Sequence, residues 1–369
     1  MSKIKVNSLE GVGASTPAIS IDNASGTCTA NITNNLSNRN LIINGAMQVA
    51  QRGTSSNLEG YHTVDRFRLG TGGVDEHPTQ AQVDIAAGTT PYTLGFRKAL
   101  KITNGNQTSG AGASDDILIH QKIEAQNIAT SGWNYTSSSS FITLSFWVKS
   151  SVAQNFYGFL LTADGTAYSY PFETGSLSAD TWTKITKTIS GNSNLQFDNN
   201  NGIGLEVIIG QFFGTDQTGS VSLNAWGAFS SSARTPDFTS TWYTTNDATF
   251  ELTGVQLEVG SVATDFEHRS YAQEEILCQR YYQIVVSGID LGSQSTGAGV
   301  GISTTYPVKP RTTPTVTHQT TISSNRIGTN ASPTPYANDV GANGFVGLGI
   351  QNSNGHPSWH ASFTVSAEL

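Results

Sequence analysis

Charge is scarce in this chain. Of 369 residues, 19 are Lys or Arg and 27 are Asp or Glu, leaving a net balance of −8. That deficit of cations excludes a phosphate backbone as a natural partner. Cysteine is limited to Cys28 and Cys278, too few for a disulfide framework and too far apart in sequence for a metal-ligand spacing. No apolar run approaches the ~20 residues that cross a bilayer, so no membrane insertion is expected. The opening 1-MSKIKVNSLEG-11 has no apolar signal core, so the expectation is synthesis in a cytoplasm and exit by particle assembly and lysis. GxSxG, GxxxxGK[ST] and HExxH are all missing. No catalytic residue, cofactor or metal is expected.

What is present is Gly, Ser, Thr and Asn, the composition of short strands joined by tight turns. Residues 1–38 show no period long enough to bury a face and read as an extended arm ordered against a partner. From 41-LIINGAMQVAQRG-53 onward the pattern is that of strands, with Asn44-Gly45 as a turn dipeptide. The clearest strand is 141-FITLSFWVKS-150, where Ile142, Leu144, Phe146 and Val148 share one face. About ten such segments over 39–266, without intervening helices, predict an antiparallel jelly-roll sandwich. Over 267–284 a linker leads into a short helix. Ser270 and Gln273 form a capping box there, and Ile276, Leu277, Arg280, Tyr281 and Ile284 form one stripe. Residues 285–369 return to strands and predict a smaller β-sandwich. The fold class is therefore all-β: an N-terminal extended arm, an antiparallel jelly-roll sandwich, a short linking helix and a smaller C-terminal β-sandwich.

Few residues suggest chemistry. His356 and His360 are four apart, a metal pair on a helix. Here Gly355 and Pro357 flank the first, and in an extended strand the two lie roughly 13 Å apart, too far for one ion. The run 198-DNNNG-202 offers hard oxygens for calcium, but an Asx turn between strands explains it as well. Glu267, His268 and Arg269 are adjacent, point different ways, and suit linker salt bridges better than catalysis. Cys278 reads as a small buried residue. Trp226, Trp242 and Tyr243 lie in Gly/Ser/Thr-rich stretches where side chains can stay exposed, which makes them candidates for stacking on a glycan. The competing reading makes them core plugs or subunit contacts.

The ordered set 40-NLIINGAMQVAQRGTS-55, 61-YHTVDRF-67, 144-LSFWVKSS-151, 181-TWTKITKTI-189, 250-FELTGVQLEVGSVATDFEHRSYAQEEILCQRYYQ-283 and 362-SFTVSAEL-369 resembles bacteriophage tail-fibre and related virion fibre proteins of marine and cyanobacterial phages. The block from Gln256 to Gln283 is its most specific part. The resemblance implies a homotrimeric structural protein of the virion. Its arm would dock on tail or head proteins, its jelly roll would be similar to carbohydrate-binding modules, and it would adsorb to a host-surface glycan or other receptor. Ile276, Leu277 and Tyr281 are then candidates to meet their symmetry mates at the three-fold axis. Tyr336, His356 and His360, in the loops of the C-terminal unit, are candidates for receptor contact. Two alternatives are a purely structural head fibre or tail adaptor, and a polysaccharide depolymerase. The absence of parallel β-helix repeats weighs against the latter.

Overall fold

In a computed structural model of the chain, the structure describes residues 38–290, 292, 294–297, 299–325, 340–350 and 353–369, with short pieces at 8–9, 19–21, 24 and 28–30. In the N-terminal pieces, β1 (Ser8–Leu9), β2 (Ile19–Ile21) and β3 (Cys28–Ala30) pair antiparallel with one another.

The main unit runs through β4 (Ser55–Ser56), β5 (Arg68–Gly72), β6 (Thr79–Asp84), β7 (Lys98–Thr103), β8 (Asp116–Glu124) and β9 (Phe141–Ser150). It continues with β10 (Asn155–Thr162), β11 (Tyr168–Ser176), β12 (Thr183–Ser190), β13 (Ile203–Phe213), β14 (Gly227–Ala228) and β15 (Thr249–Val259). Short helices α1 (Thr90–Thr93), α2 (Ala125–Ala129) and α3 (Thr241–Thr244) decorate its connections. The strands form two six-stranded antiparallel sheets, ordered β14-β11-β10-β13-β8-β5 and β12-β9-β15-β7-β6-β4. The chain changes sheet repeatedly, so each sheet is closed by strands distant in sequence, as in a jelly roll.

Alternation decides which residues fill the space between the sheets. Ile142, Leu144, Phe146 and Val148 of β9 are each fully buried there, facing Phe156, Leu160, Leu205 and Val207 from the other sheet. A bulge in β15 between Thr253 and Gln256, with Gly254 at φ +62°, resets the register against β9. Before the bulge β15 pairs with β7; beyond it the partner is the segment 40–45. Val255 N–H donates to Gly45 O, and Leu41 N–H donates to Leu257 O.

Segment 41–53, expected as a strand, is instead a buried irregular loop. Asn44 and Met47 take positive φ, and the Asn44 amide bonds the backbone at Val49 and Asp65. Ile42, Met47 and Val49 are fully buried without any strand to carry them.

After β15 come α4 (Tyr271–Gln279) and then β16 (Tyr282–Asp290), β17 (Gly299–Thr305), β18 (Thr315–Asn325), β19 (Gly344–Ile350) and β20 (Ser358–Ser366). Sheets β16-β20-β18 and β17-β19 enclose a small core of Val285, Tyr306, Val316, Phe345, Trp359, Phe363 and Val365. This is the smaller all-β unit that the alternation around Trp359 implies.

Candidate functional site

The stretch from Gln256 to Gln283 works as a junction. On the outer face of β15, Gln256 and Glu258 are fully buried, because the linker after the strand folds back over them. Glu258 accepts from Thr264 N–H at 2.8 Å and from the Thr264 hydroxyl at 2.6 Å, while the Gln256 carbonyl accepts from Glu267 N–H. Two side chains two apart on one strand thus hold the linker by its backbone.

Arg269 and its carboxylates then tie the linker to segment 40–44. The guanidinium donates to Asn40 O and Ile42 O and pairs with Glu267 at 3.1 Å and Glu274 at 3.4 Å. Glu267 accepts from Asn40 N–H, and Glu274 from Asn44 N–H at 2.5 Å. The adjacent residues 267–269 therefore form linker salt bridges. His268 points the other way, reaching Leu94 O and packing against Phe96 and Phe266.

Helix α4 begins at the capping box of Ser270 and Gln273. Its buried side carries Glu274 and Cys278, four residues apart, so the helix faces the sandwich with a carboxylate and a thiol. Burial pushes the Cys278 thiol well up, which keeps it protonated and unreactive.

The C-terminal unit is locked on by two buried ion clusters. Glu124, at the end of β8 and fully buried, accepts a bidentate pair from Arg280 at 2.8 Å each and a third bond from the Tyr281 hydroxyl at 2.6 Å. Burial alone would raise this carboxyl. The bonds from Arg280 and Tyr281 outweigh it and hold the group below its ordinary range. In the second cluster Arg66, 1% exposed, pairs with Glu368 and donates to Lys122 O, its guanidinium lying 3.5 Å from the centre of the Tyr281 ring. Arg52 reaches the same Glu368 at 3.0 Å and stacks on Tyr282 at 3.5 Å. Below it Asp65, 1% exposed, has its carboxyl raised to about 6 by burial, against the opposing pull of Gln51 and Arg52. Arg311 completes the lock by donating to the carbonyls of Ala367, Glu368 and Asn201. The run 198–202 thereby serves as a docking turn. Among the described residues no three His, Cys, Asp or Glu side chains gather as for a metal.

The candidates named from sequence scatter over the molecule. Trp242 and Tyr243 are at most 1% exposed, against the expectation that their stretch leaves them free. Trp242 Nε1–H donates to Thr249 O, and Tyr243 stacks on Phe212 while its hydroxyl donates to Asp115. They plug the sandwich and offer no face for stacking. Trp226 is half-buried on the edge by Tyr170, its Nε1–H given to Ser190 O. Tyr281 is buried inside the junction and so is unavailable to a symmetry mate. Ile276 is 55% exposed and Leu277 half-buried, so these two residues of the stripe face outward while Tyr281 faces in. Both line a cleft of about 740 Å³ with Arg39, Leu41 and Ile43. His360, in β20, lies across Gly288, and its ring is 4.0 Å from Asp290. His356 is exposed in the loop preceding β20, and Tyr336 lies outside the described residues. Sequence reasoning missed Arg66, Glu124 and Glu368. Their partners lie 302 residues away for Arg66 and Glu368 and 156 away for Glu124 and Arg280, so no local pattern marks them.

Fold and site together define the class: an all-β protein of two sandwiches joined through buried ion clusters. No protein-family model matches the chain, and no curated protein matches it either. Among solved structures, the chain is similar over 60% of its length to the enzymatically active domain of tailspike protein 4 of bacteriophage CBA120, at 10% identity and a TM-score of 0.32. The chain spans about one fifth (21%) of that tailspike chain. It is similar over 61% of its length to the module TmCBM61 in complex with β-1,4-galactotriose (10% identity, 99% of that chain, TM-score 0.28). The family 11 carbohydrate-binding module of Clostridium thermocellum, in complex with a mixed-linked tetrasaccharide, matches over 57% (10% identity, 98% of that chain, TM-score 0.26). All three scores lie below 0.5, so the fold rests on the sheet order given above, and the ligands in those complexes remain facts about those proteins.

Proposed function

We propose that the chain is a non-enzymatic structural fibre protein of a phage virion, a homotrimer that mediates adsorption by binding a glycan or other receptor on the host surface. The observation that carries this reading is where the most family-specific block goes. Gln256, Glu258, Glu267, Arg269 and Glu274 bind the linker and α4 to the main sandwich, and Arg280 and Tyr281 bind the start of the C-terminal unit to Glu124. A fibre must transmit force between its attached and its distal end, and a welded junction serves that need. The welded clusters use their carboxylates in pairs with guanidinium groups, an arrangement suited to rigidity rather than to proton transfer. The outward side of α4, with Ile276 and Leu277, is the surface we assign to contact between the three copies.

Two measurements test the reading. The mass of the purified chain at micromolar concentration should be three times 39.1 kDa, and a monomer would count against the trimer. Fluorescently labelled protein should stain host cells. A purely structural head fibre or adaptor would leave them dark. A depolymerase would release reducing ends from host polysaccharide.

A further inference from the structure

The outer face of the sheet containing β9, β12 and β15 carries an arrangement that neither the junction nor the sandwich core requires. Lys184 of β12 stands opposite Trp147 of β9, and Lys149 of β9 stands opposite Glu251 of β15. Glu251 stands in turn opposite Lys101 of β7. Trp182, one residue before β12, comes level with Lys149, whose ammonium lies 5.3 Å from the indole centre. Two tryptophans and two lysines thus alternate as a checkerboard, the indoles on a diagonal, which on an antiparallel pair is about 7–8 Å. Both indoles pack one side on a small cluster of Ile85, Phe96 and Ala99, and both remain partly exposed on the other.

Beside Trp182 opens a cleft of about 270 Å³, lined by Lys149, Glu251, Lys101, Asp84 and Thr89. A second cleft of about 210 Å³ adjoins Trp147, Lys184 and Phe96. Each is a shallow subsite somewhat smaller than the ~300–1,000 Å³ of small-ligand clefts. The charges are partly paired. Lys149 pairs with Glu251 at 3.0 Å and Lys98 with Asp84 at 2.6 Å, so two of the three carboxylates lining the first cleft (84, 180, 251) are met by a lysine.

From these observations we infer that this face binds a neutral pyranose chain, an inference that rests on the adhesive reading above for the class of its ligand. The exposed indole faces take the C–H faces of sugar rings. Glu251, Asp84 and the lysine ammoniums, held in place by their mutual pairing, accept from and donate to ring hydroxyls. A polyanion would find Lys98 and Lys149 already matched by carboxylates, whereas a polyhydroxylated neutral ligand can bond to both members of each pair.

The test uses the full chain on an array of immobilised neutral oligosaccharides built on glucose, galactose, mannose and rhamnose, with calorimetry on the best ligand. Trp182→Ala should weaken binding on the order of tenfold or more, Trp182→Phe should retain most of it, and Glu251→Gln should weaken it several-fold. Glu251→Gln removes no packing, so it keeps the test decisive if Trp182→Ala lowers thermal stability. Wild-type affinity in both Trp182→Ala and Glu251→Gln overturns the site. Binding of anionic polysaccharides alone overturns the ligand class. A wild-type chain that stains host cells but binds no neutral oligosaccharide sinks this inference and leaves the adhesive reading standing. One that does neither sinks both.

Discussion

Replacing Glu368 by Ala removes a single carboxylate from between two guanidinium groups. Arg66 is 1% exposed and Glu368 10%, so the cluster is largely out of water. At an effective dielectric near 20, one pair at the 3.0 Å of Arg52 and Glu368 attracts by about 5 kcal/mol before desolvation is subtracted. Taking away one partner of a buried pair costs about 3–5 kcal/mol, because the other charge stays buried and unmatched. Glu368 keeps some exposure, which places the expected loss at the lower end, about 3 kcal/mol. Glu368→Gln, which keeps an acceptor but no charge, should lose about half of that. The assay is urea unfolding followed by tryptophan fluorescence, in a double-mutant cycle with Arg66→Met. Five of the six tryptophans report on the main sandwich and Trp359 on the C-terminal unit. If the lock is real, both signals move together, and Arg66→Met recovers part of the loss in the Glu368→Ala background. A Glu368→Ala midpoint within about 0.5 kcal/mol of wild type, or a cycle that adds within that margin, refutes the reasoning.

Two further perturbations probe neighbouring parts. Asp65 has its carboxyl raised to about 6, so the folded chain holds that proton more tightly than the unfolded one, whose carboxyl sits near 3.8. Its contribution is therefore fully present below about pH 4 and lost as pH rises through about 6. The difference is on the order of 3 kcal/mol. Asp65→Asn should flatten that component. Subtracting its urea stability from that of wild type at pH 4, 5, 6 and 7 isolates it, and a flat difference contradicts the assignment. Gly45→Ala would place a methyl 2.0 Å from Val255 O, where segment 40–45 docks on β15 beyond the bulge. Overpacking against backbone should cost about 3 kcal/mol, read as a lowered unfolding midpoint. A variant as stable as wild type would show that this docking is loose.

The sequence carried the parts of the fold that follow from local periodicity. The alternation of β9 is visible because both its neighbours bury the same face, and the helix start is visible because Ser270 and Gln273 bond within one turn. Segment 41–53 has the Asn44-Gly45 turn that is legible in its sequence, but not the strand pattern expected around it. Its shape is set by Asn44, whose side chain replaces strand pairing with bonds to Val49 and Asp65. The stripe read along α4 is divided. Ile276 is exposed while Tyr281 is buried, because Asn44 N–H and Arg269 pull Glu274 in and Glu124 holds the Tyr281 hydroxyl. Trp242 and Tyr243 looked exposed from their polar surroundings, yet those surroundings fold over the core end. The ion clusters were illegible because Arg66 and Glu368 are 302 residues apart, and no local pattern links them.

The role proposed for this chain is to place a phage on its host. Purified chain added to host cells before the phage that carries it should compete for the receptor. The adsorption rate should fall with dose and return to normal when the added protein is unfolded. An adsorption rate unchanged at saturating protein, on cells that labelled protein leaves unstained, would contradict the account.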